Sequence, residues 1–335
     1  PGFINCHCHL ELSHLKSKVS PGGGLHNFIS ELVLERGKSD PITIKKAIEK
    51  YDSKMWANGI QAVGDICNDG STFSVKSKSQ ITYYSFIEVF DLKPERTDLN
   101  FQNCTEVFNA HRNDHTLSIT PHAPYSVTPD LFKRIIAHNN EAGNKLMSIH
   151  FLETAAEIPL YRNRTGDLFE KMAAFGIDYA WINDEVKNST DMIIPFMSGR
   201  SNLFVHNTFL DKHHIDLMEQ KSLLNDASFC LCPNANIYIE GRIPDIDLFR
   251  TEKLNIVLGT DSLASNDDLS IISEINTIIE RYPKIPIEEL LQWATENGAE
   301  YFGWDTLGKF EKGNKPGGVL VSQDSKGSYQ AKRLF

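Results

Sequence analysis

An α/β fold of the (β/α)8 TIM-barrel class is predicted by three features of this sequence. Eight short β-rich runs are present, and amphipathic stretches of helical period separate them. Alternation of this kind builds parallel β/α units. Histidines and carboxylates recur where the runs end, and a parallel barrel gathers all its strand ends on one face.

Strands are expected at Phe3–His9, Gln61–Ile66, Ile81–Phe90, Leu117–His122, Lys145–His150, Asn202–His206, Ser228–Cys232 and Asn255–Asp261. Helical period marks Thr43–Asn58, Thr128–Ala142, Asp211–Gln220 and Leu269–Arg281. An open doubly wound sheet would carry a G-x-G-x-x-G loop after its first strand. Gly22-Gly23-Gly24 lacks that spacing and reads as a flexible turn. Pro286–Phe302 is expected to be one helix, with Pro in its first turn and Gly303 just past its end. Asp178–Ser201 reads as an insertion between the fifth and sixth strands that holds a short helix. Residues 1–309 are expected to form the barrel. Residues 310–335, with one short strand at Gly318–Ser322, read as a C-terminal segment of a small β domain. The chain begins at Pro1 rather than Met, and the expectation is that an N-terminal segment is absent.

The 335 residues suffice for a large core. A hydrophobic share of 41% and a charged share of 23% are ordinary for a globular protein. No apolar run approaches the roughly 20 residues that span a bilayer, and no signal-peptide pattern opens the chain. A cytoplasmic protein without a membrane partner is expected. The net charge of −10 argues against a nucleic-acid partner, because such binding rests on Lys/Arg patches. The six cysteines include no C-x-x-C pair, so reduced thiols are expected rather than a zinc ribbon. Cys6 and Cys8 alternate with histidines and are expected to face away from them.

His7 and His9 stand two residues apart at the end of an apolar run. On a strand this spacing directs both imidazoles to one face, which makes half of a metal site. The other expected strand ends supply Glu88, His122, His150, His206 and Asp261. Five of the twelve histidines therefore close strands. Glu153 follows His150 by three residues, which sets a carboxyl group beside such a site and suits it to proton transfer. It is also well placed to favour the dipole of a helix starting near Thr154.

Pro1-Gly2-Phe3-Ile4-Asn5-Cys6-His7-Cys8-His9-Leu10 resembles the first-strand motif of the amidohydrolase superfamily of metal-dependent hydrolases. His122-Ala123-Pro124-Tyr125-Ser126, His150-Phe151-Leu152-Glu153-Thr154, Pro233-Asn234-Ala235-Asn236 and Gly259-Thr260-Asp261-Ser262 are similar to further motifs of that superfamily, in the same order. They most resemble its deaminase and chlorohydrolase branch, which includes guanine, S-adenosylhomocysteine/methylthioadenosine and aminofutalosine deaminases. The resemblance implies one divalent metal, zinc before iron or manganese, held by His7, His9, His150 and Asp261. It implies Glu153 as proton shuttle, with His206 and Asp261 orienting and deprotonating the attacking water. His122, Tyr125, Glu88 and Arg242 are the expected substrate contacts, with Phe28 and Arg36 near them. The fourth strand lacks the lysine of binuclear members, which favours a single metal. The C-terminal segment then reads as a remnant of a small β-sandwich.

The implied activity is hydrolytic release of ammonia from an amino-substituted aromatic heterocycle, purine-like or a nucleoside, by hydroxide attack at the metal. The alternatives are a chlorohydrolase or triazine hydrolase built on the same site, and a non-catalytic barrel scaffold. Partners are expected to be the small substrate and water, in a homodimer as is common in that family.

Overall fold

The computed structural model describes residues 1–335. Its strands are β1 (Phe3–Cys8), β2 (Ile60–Cys67), β3 (Thr82–Val89), β4 (Thr116–Pro121), β5 (Leu146–Phe151), β6 (Ser201–His206), β7 (Ala227–Leu231), β8 (Ile256–Leu258), β9 (Val319–Gln323) and β10 (Tyr329–Arg333). Parallel pairing orders them as two four-stranded sheets, β1-β2-β3-β4 and β5-β6-β7-β8. Every residue of β1 and of β7 is buried, as expected of parallel strands covered on both faces. One apolar cluster lies between the strands and the helices around them. A smaller one draws Ile4, Tyr84, Phe86, Leu203, Val205 and Val257 from both sheets.

The two sheets meet at two seams. At one, His150 N–H donates to the His122 carbonyl at 2.8 Å, and Ser148 N–H donates to the Thr120 hydroxyl at 2.8 Å. At the other, the His7 carbonyl accepts from Thr260 N–H at 2.9 Å and from Asp261 N–H at 3.1 Å. Asn5 and Thr260 exchange side-chain bonds across the same seam. Side chains thus carry part of the pairing that a regular ladder would give to backbone groups.

The helices start where the caps predict. Asp40 accepts from Ile42 N–H and Thr43 N–H at the head of Pro41–Ala57, and Thr128 accepts from Leu131 N–H at the head of Pro129–Glu141. Between β5 and β6 the excursion begins earlier than the sequence suggested. It holds helices Glu157–Asn163, Asp167–Ala174 and Ser189–Met197, the last inside the expected insertion. No helix is long and apolar enough to cross a membrane.

Three expectations are corrected. Pro286–Phe302 is two helices, Ile287–Trp293 and Glu296–Phe302, broken at Thr295 with φ −137° and ψ −80°. The break frees the Ala294 carbonyl to accept Ile4 N–H at 2.8 Å, which ties this region to β1. The tail carries two strands rather than one: β9 and β10 form an antiparallel hairpin whose turn is held by Asp324 accepting from Lys326 and Ser328 N–H. Strict alternation fails in β1, whose register against β2 shifts between Asn5 and Cys8. Cys6 consequently joins the cluster between the sheets, and only Cys8 joins the outer one. All six cysteines are buried free thiols.

Glu274, fully buried on helix Ile271–Arg281, accepts from Asn234 N–H and from the Asn266 side-chain amide, both at 2.8 Å. It joins the segments after β7 and β8. Burial pushes its carboxyl up to about 8, against about 4.3 in an unfolded chain. The folded state therefore keeps a proton that the unfolded state has released. The group's contribution to stability is full below about pH 4.3 and is lost as pH rises through about 8. The urea midpoint should fall over this window. In Glu274→Gln the decline should be shallower by up to about 1.4 kcal/mol per pH unit. An unchanged slope would contradict this account.

Candidate active site

The C-terminal ends of six strands deliver ionisable side chains to one place. β1 brings His7 and, one residue past its end, His9. β3 brings Glu88, β5 His150 and β6 His206. His122 follows β4, and Asp261 lies three residues past β8, bridged to Cys8 of β1. All are buried except His122, which is half-buried.

The donor atoms have the spacing of a metal centre. His7 Nε2 and His9 Nε2 stand 3.6 and 3.4 Å from Asp261 Oδ1. Those distances are too long for hydrogen bonds. Two donors on one tetrahedral ion, each about 2.0–2.1 Å from it, lie about 3.4 Å apart. Donor atoms of His7, His9 and His150 lie within 4.8 Å of one another, and so do those of His7, His206 and Asp261. Both ring nitrogens of His7 and Nδ1 of His150 are buried without a hydrogen-bond partner. Buried polar atoms of this kind call for a ligand. Burial lowers His7, His9 and His150 to about 4, so they are neutral imidazoles with free lone pairs at neutral pH. Burial opposes ionisation of Asp261, but the imidazoles of His7, His9 and His206 outweigh it and hold the carboxyl well below its usual range. The donor set fits a divalent cation.

Beside this cluster sits Glu153, 8% exposed. Burial and the neighbouring Glu157 push its carboxyl well above the usual range, which favours the protonated form. The Tyr125 hydroxyl donates to Glu153 Oε1 at 2.5 Å, and Glu153 Oε2 lies 3.8 Å from His206 Nε2. His206 Nδ1 bonds Asn236 Oδ1 at 2.8 Å, which turns Nε2 toward the cluster. A cavity of about 80 Å³ is lined by His9, His122, Tyr125, Glu153, His206 and Asp261, and by apolar side chains of helix Gly24–Arg36.

The model of the amidohydrolase family matches residues 1–331. The chain belongs to the amidohydrolase family. It is 26% identical over 306 residues to an adenosine deaminase of Helicobacter pylori, covering 90% of this chain and 73% of that protein. The crystal structure of Helicobacter pylori aminofutalosine deaminase in complex with methylthio-coformycin superposes with a TM-score of 0.82 at 23% identity, covering 97% of this chain and 79% of that one. A Xanthomonas campestris adenosine deaminase with bound zinc gives a TM-score of 0.73 at 20% identity, covering 97% and 72%. These likenesses establish the fold.

Within this amidohydrolase, nearly all the side chains singled out in the sequence converge. Glu88 Oε1 lies 3.3 Å from His150 Nε2, and Asn68 donates to Glu88 Oε2 at 2.8 Å. The histidines His122 and His150 outweigh burial and hold Glu88 low. His122 Nδ1 bonds the Ser126 hydroxyl at 2.7 Å. Phe28 lines the small cavity, while Arg36 reaches Glu11 and Asn68 beside it. Arg242 is the exception. It is exposed, its guanidinium lies over the Phe209 ring at 4.9 Å, and it does not line the cavity beside the cluster.

Several supporting residues escaped the sequence reading. Ser265 donates to Asp261 Oδ2 at 2.6 Å, leaving Oδ1 toward His7 and His9. Glu157 accepts from Glu153 N–H at 2.9 Å and so pins the turn that carries Glu153. A signal existed there, since Thr154-Ala155-Ala156-Glu157 has capping-box spacing. His206, Asn207 and Asp261 adopt left-handed backbone angles, with φ of 72°, 55° and 55°. Such conformations cost about 1–3 kcal/mol each and cluster at functional sites.

Asn236→Leu should leave His206 Nδ1 buried and unpaired. A loss of about 1–3 kcal/mol in urea unfolding is expected. A change below the measurement error would remove Asn236 from this supporting role.

Proposed function

We infer that this amidohydrolase is a hydrolytic deaminase that releases ammonia from a purine-like nucleoside. One observation carries the reading: a buried carboxyl group, Glu153, with Oε2 3.8 Å from His206 Nε2, stands beside the cluster of His7, His9, His150 and Asp261. Names of the related proteins agree with it.

His7, His9, His150 and Asp261 would hold one divalent cation, with zinc favoured by the zinc-bound relative. When bound, that cation supplies Lewis acidity and brings the pKa of a water toward neutrality. Asp261 takes the water's proton. Glu153 delivers its own proton to the ring nitrogen beside the carbon that bears the amine, and so makes that carbon electrophilic. Nε2 of His206 faces the attacking oxygen and orients it, while Asn236 holds the ring. The proton taken by Asp261 then passes to the amine, which leaves as ammonia, and the remaining proton of the added oxygen restores Glu153 as the carbonyl forms. Tyr125 holds Glu153 in place, and His122 and Glu88 are the substrate contacts. We read the two sheets as one closed (β/α)8 barrel in residues 1–309, a reading supported by the hydrogen bonds at both seams. The β9–β10 hairpin supports a sandwich remnant in residues 310–335.

Ammonia release from the zinc-loaded chain with adenosine, methylthioadenosine and aminofutalosine tests the reading. Glu153→Gln should lower kcat by roughly a hundred- to ten-thousand-fold while zinc stays near one per chain. His150→Ala should lose both zinc and activity. Because Glu153 must carry its proton and the metal-holding imidazoles must not, kcat should fall at alkaline pH and, on the acid side, as His7, His9 and His150 protonate near 4. Full activity in Glu153→Gln, or no ammonia from any of the three nucleosides, would overturn the assignment.

A further inference from the structure

β1 ends at Cys8, opposite Asp65 of β2, and the ladder between the two strands ends with it. His9 follows, and the backbone turns there into the short 3₁₀ helix Leu10–Leu15. The ring of His9 is not held by a side-chain hydrogen bond of the kind that Asn236 gives His206. Its place beside Asp261 is therefore set through its backbone. Leu10 N–H, buried and just beyond the ladder, donates to Asp65 Oδ1 at 2.8 Å. A side chain takes over where the strand pairing stops, one peptide past a metal donor.

Asp65 is itself fixed. Lys76, at the end of helix Phe73–Lys76, places Nζ 2.6 Å from Asp65 Oδ2. The same ammonium donates to Ser85 Oγ of β3 at 2.9 Å and to Cys67 Sγ of β2 at 3.0 Å. Its three hydrogens are thereby all used. Neither charged side chain has any exposure to solvent. An ion pair buried in this way adds little net stability over apolar side chains of similar volume. What it supplies here is direction, with one Asp65 oxygen turned to Lys76 and the other to Leu10.

We propose that Asp65, oriented by Lys76, is a positioning residue for His9 in the metal centre. It acts through the Leu10 amide and is not among the cation's donors. A displaced Leu10 amide would carry His9 Nε2 away from the 3.4 Å separation that it keeps from Asp261 Oδ1. Preorganised sites hold their donors to within about 0.5 Å. The proposal rests on the metal centre of the deaminase reading and adds the element that shapes it from behind.

Zinc affinity, measured by competition with a chelator, tests it in paired variants that leave no buried charge alone. Asp65→Leu with Lys76→Met removes the ion pair and the acceptor for Leu10 N–H. Asp65→Asn with Lys76→Met removes the same charges and keeps an acceptor in place. The first pair should bind zinc more than threefold weaker than the unaltered chain, and about 10–100-fold weaker if Asp65 matches other supporting partners of metal ligands. The second pair should bind threefold or more tighter than the first. Affinity is a property of the folded chain, so lost stability alone does not move it, and melting temperatures without zinc report that loss separately. Should the first pair not fold, Asp65→Glu replaces it. That change keeps the charge beside Lys76, displaces the acceptor by one methylene, and should also weaken zinc more than threefold. Binding within threefold of the unaltered chain in the first pair or its replacement, or equal losses in both pairs, would overturn the role of Asp65 while the metal centre stands. Failure of the unaltered chain to bind zinc would overturn the metal centre itself.

Discussion

A single carbonyl, that of His7, accepts the amides of both Thr260 and Asp261, and the geometry of the site depends on it. The first and last strands of the parallel array meet there. His7 and His9 come from the start of the chain and Asp261 from far along it, yet their donor atoms lie 3.4–3.6 Å apart. Without that seam the carboxylate would have no fixed relation to the imidazoles. Asn5 and Thr260 reinforce it just below, and Ser265 fixes which Asp261 oxygen faces inward.

Around this centre the electrostatics divide the ionisable groups by environment. Burial removes charge from the three imidazoles. It also raises the Glu153 carboxyl, as does the neighbouring Glu157. Asp261 and Glu88 escape that tendency because histidines face them. Carboxyl groups of opposite tendency thus coexist within one pocket, one raised and two held low.

Much of this arrangement was legible in the sequence. The H-x-H pair, the histidines closing the later strands and Glu153 three residues past His150 all depend on local spacing, and local spacing survives folding. What could not be read depends on partners distant in the chain. Pro286–Phe302 breaks because Ile4 claims the Ala294 carbonyl, and no local signal announces that bond. Cys6 parts from strict alternation because β1 shifts register against β2. Arg242 was an expected substrate contact, but it is exposed and its guanidinium lies over the Phe209 ring.

The left-handed backbone at His206, Asn207 and Asp261 sets stability against chemistry at the same positions. Glycine would relax each of these angles most easily. At His206 and Asp261 it would also delete the side chain that the angle exists to aim. Selection for a more robust chain therefore finds no neutral path through these residues, and added stability has to come from elsewhere in the fold.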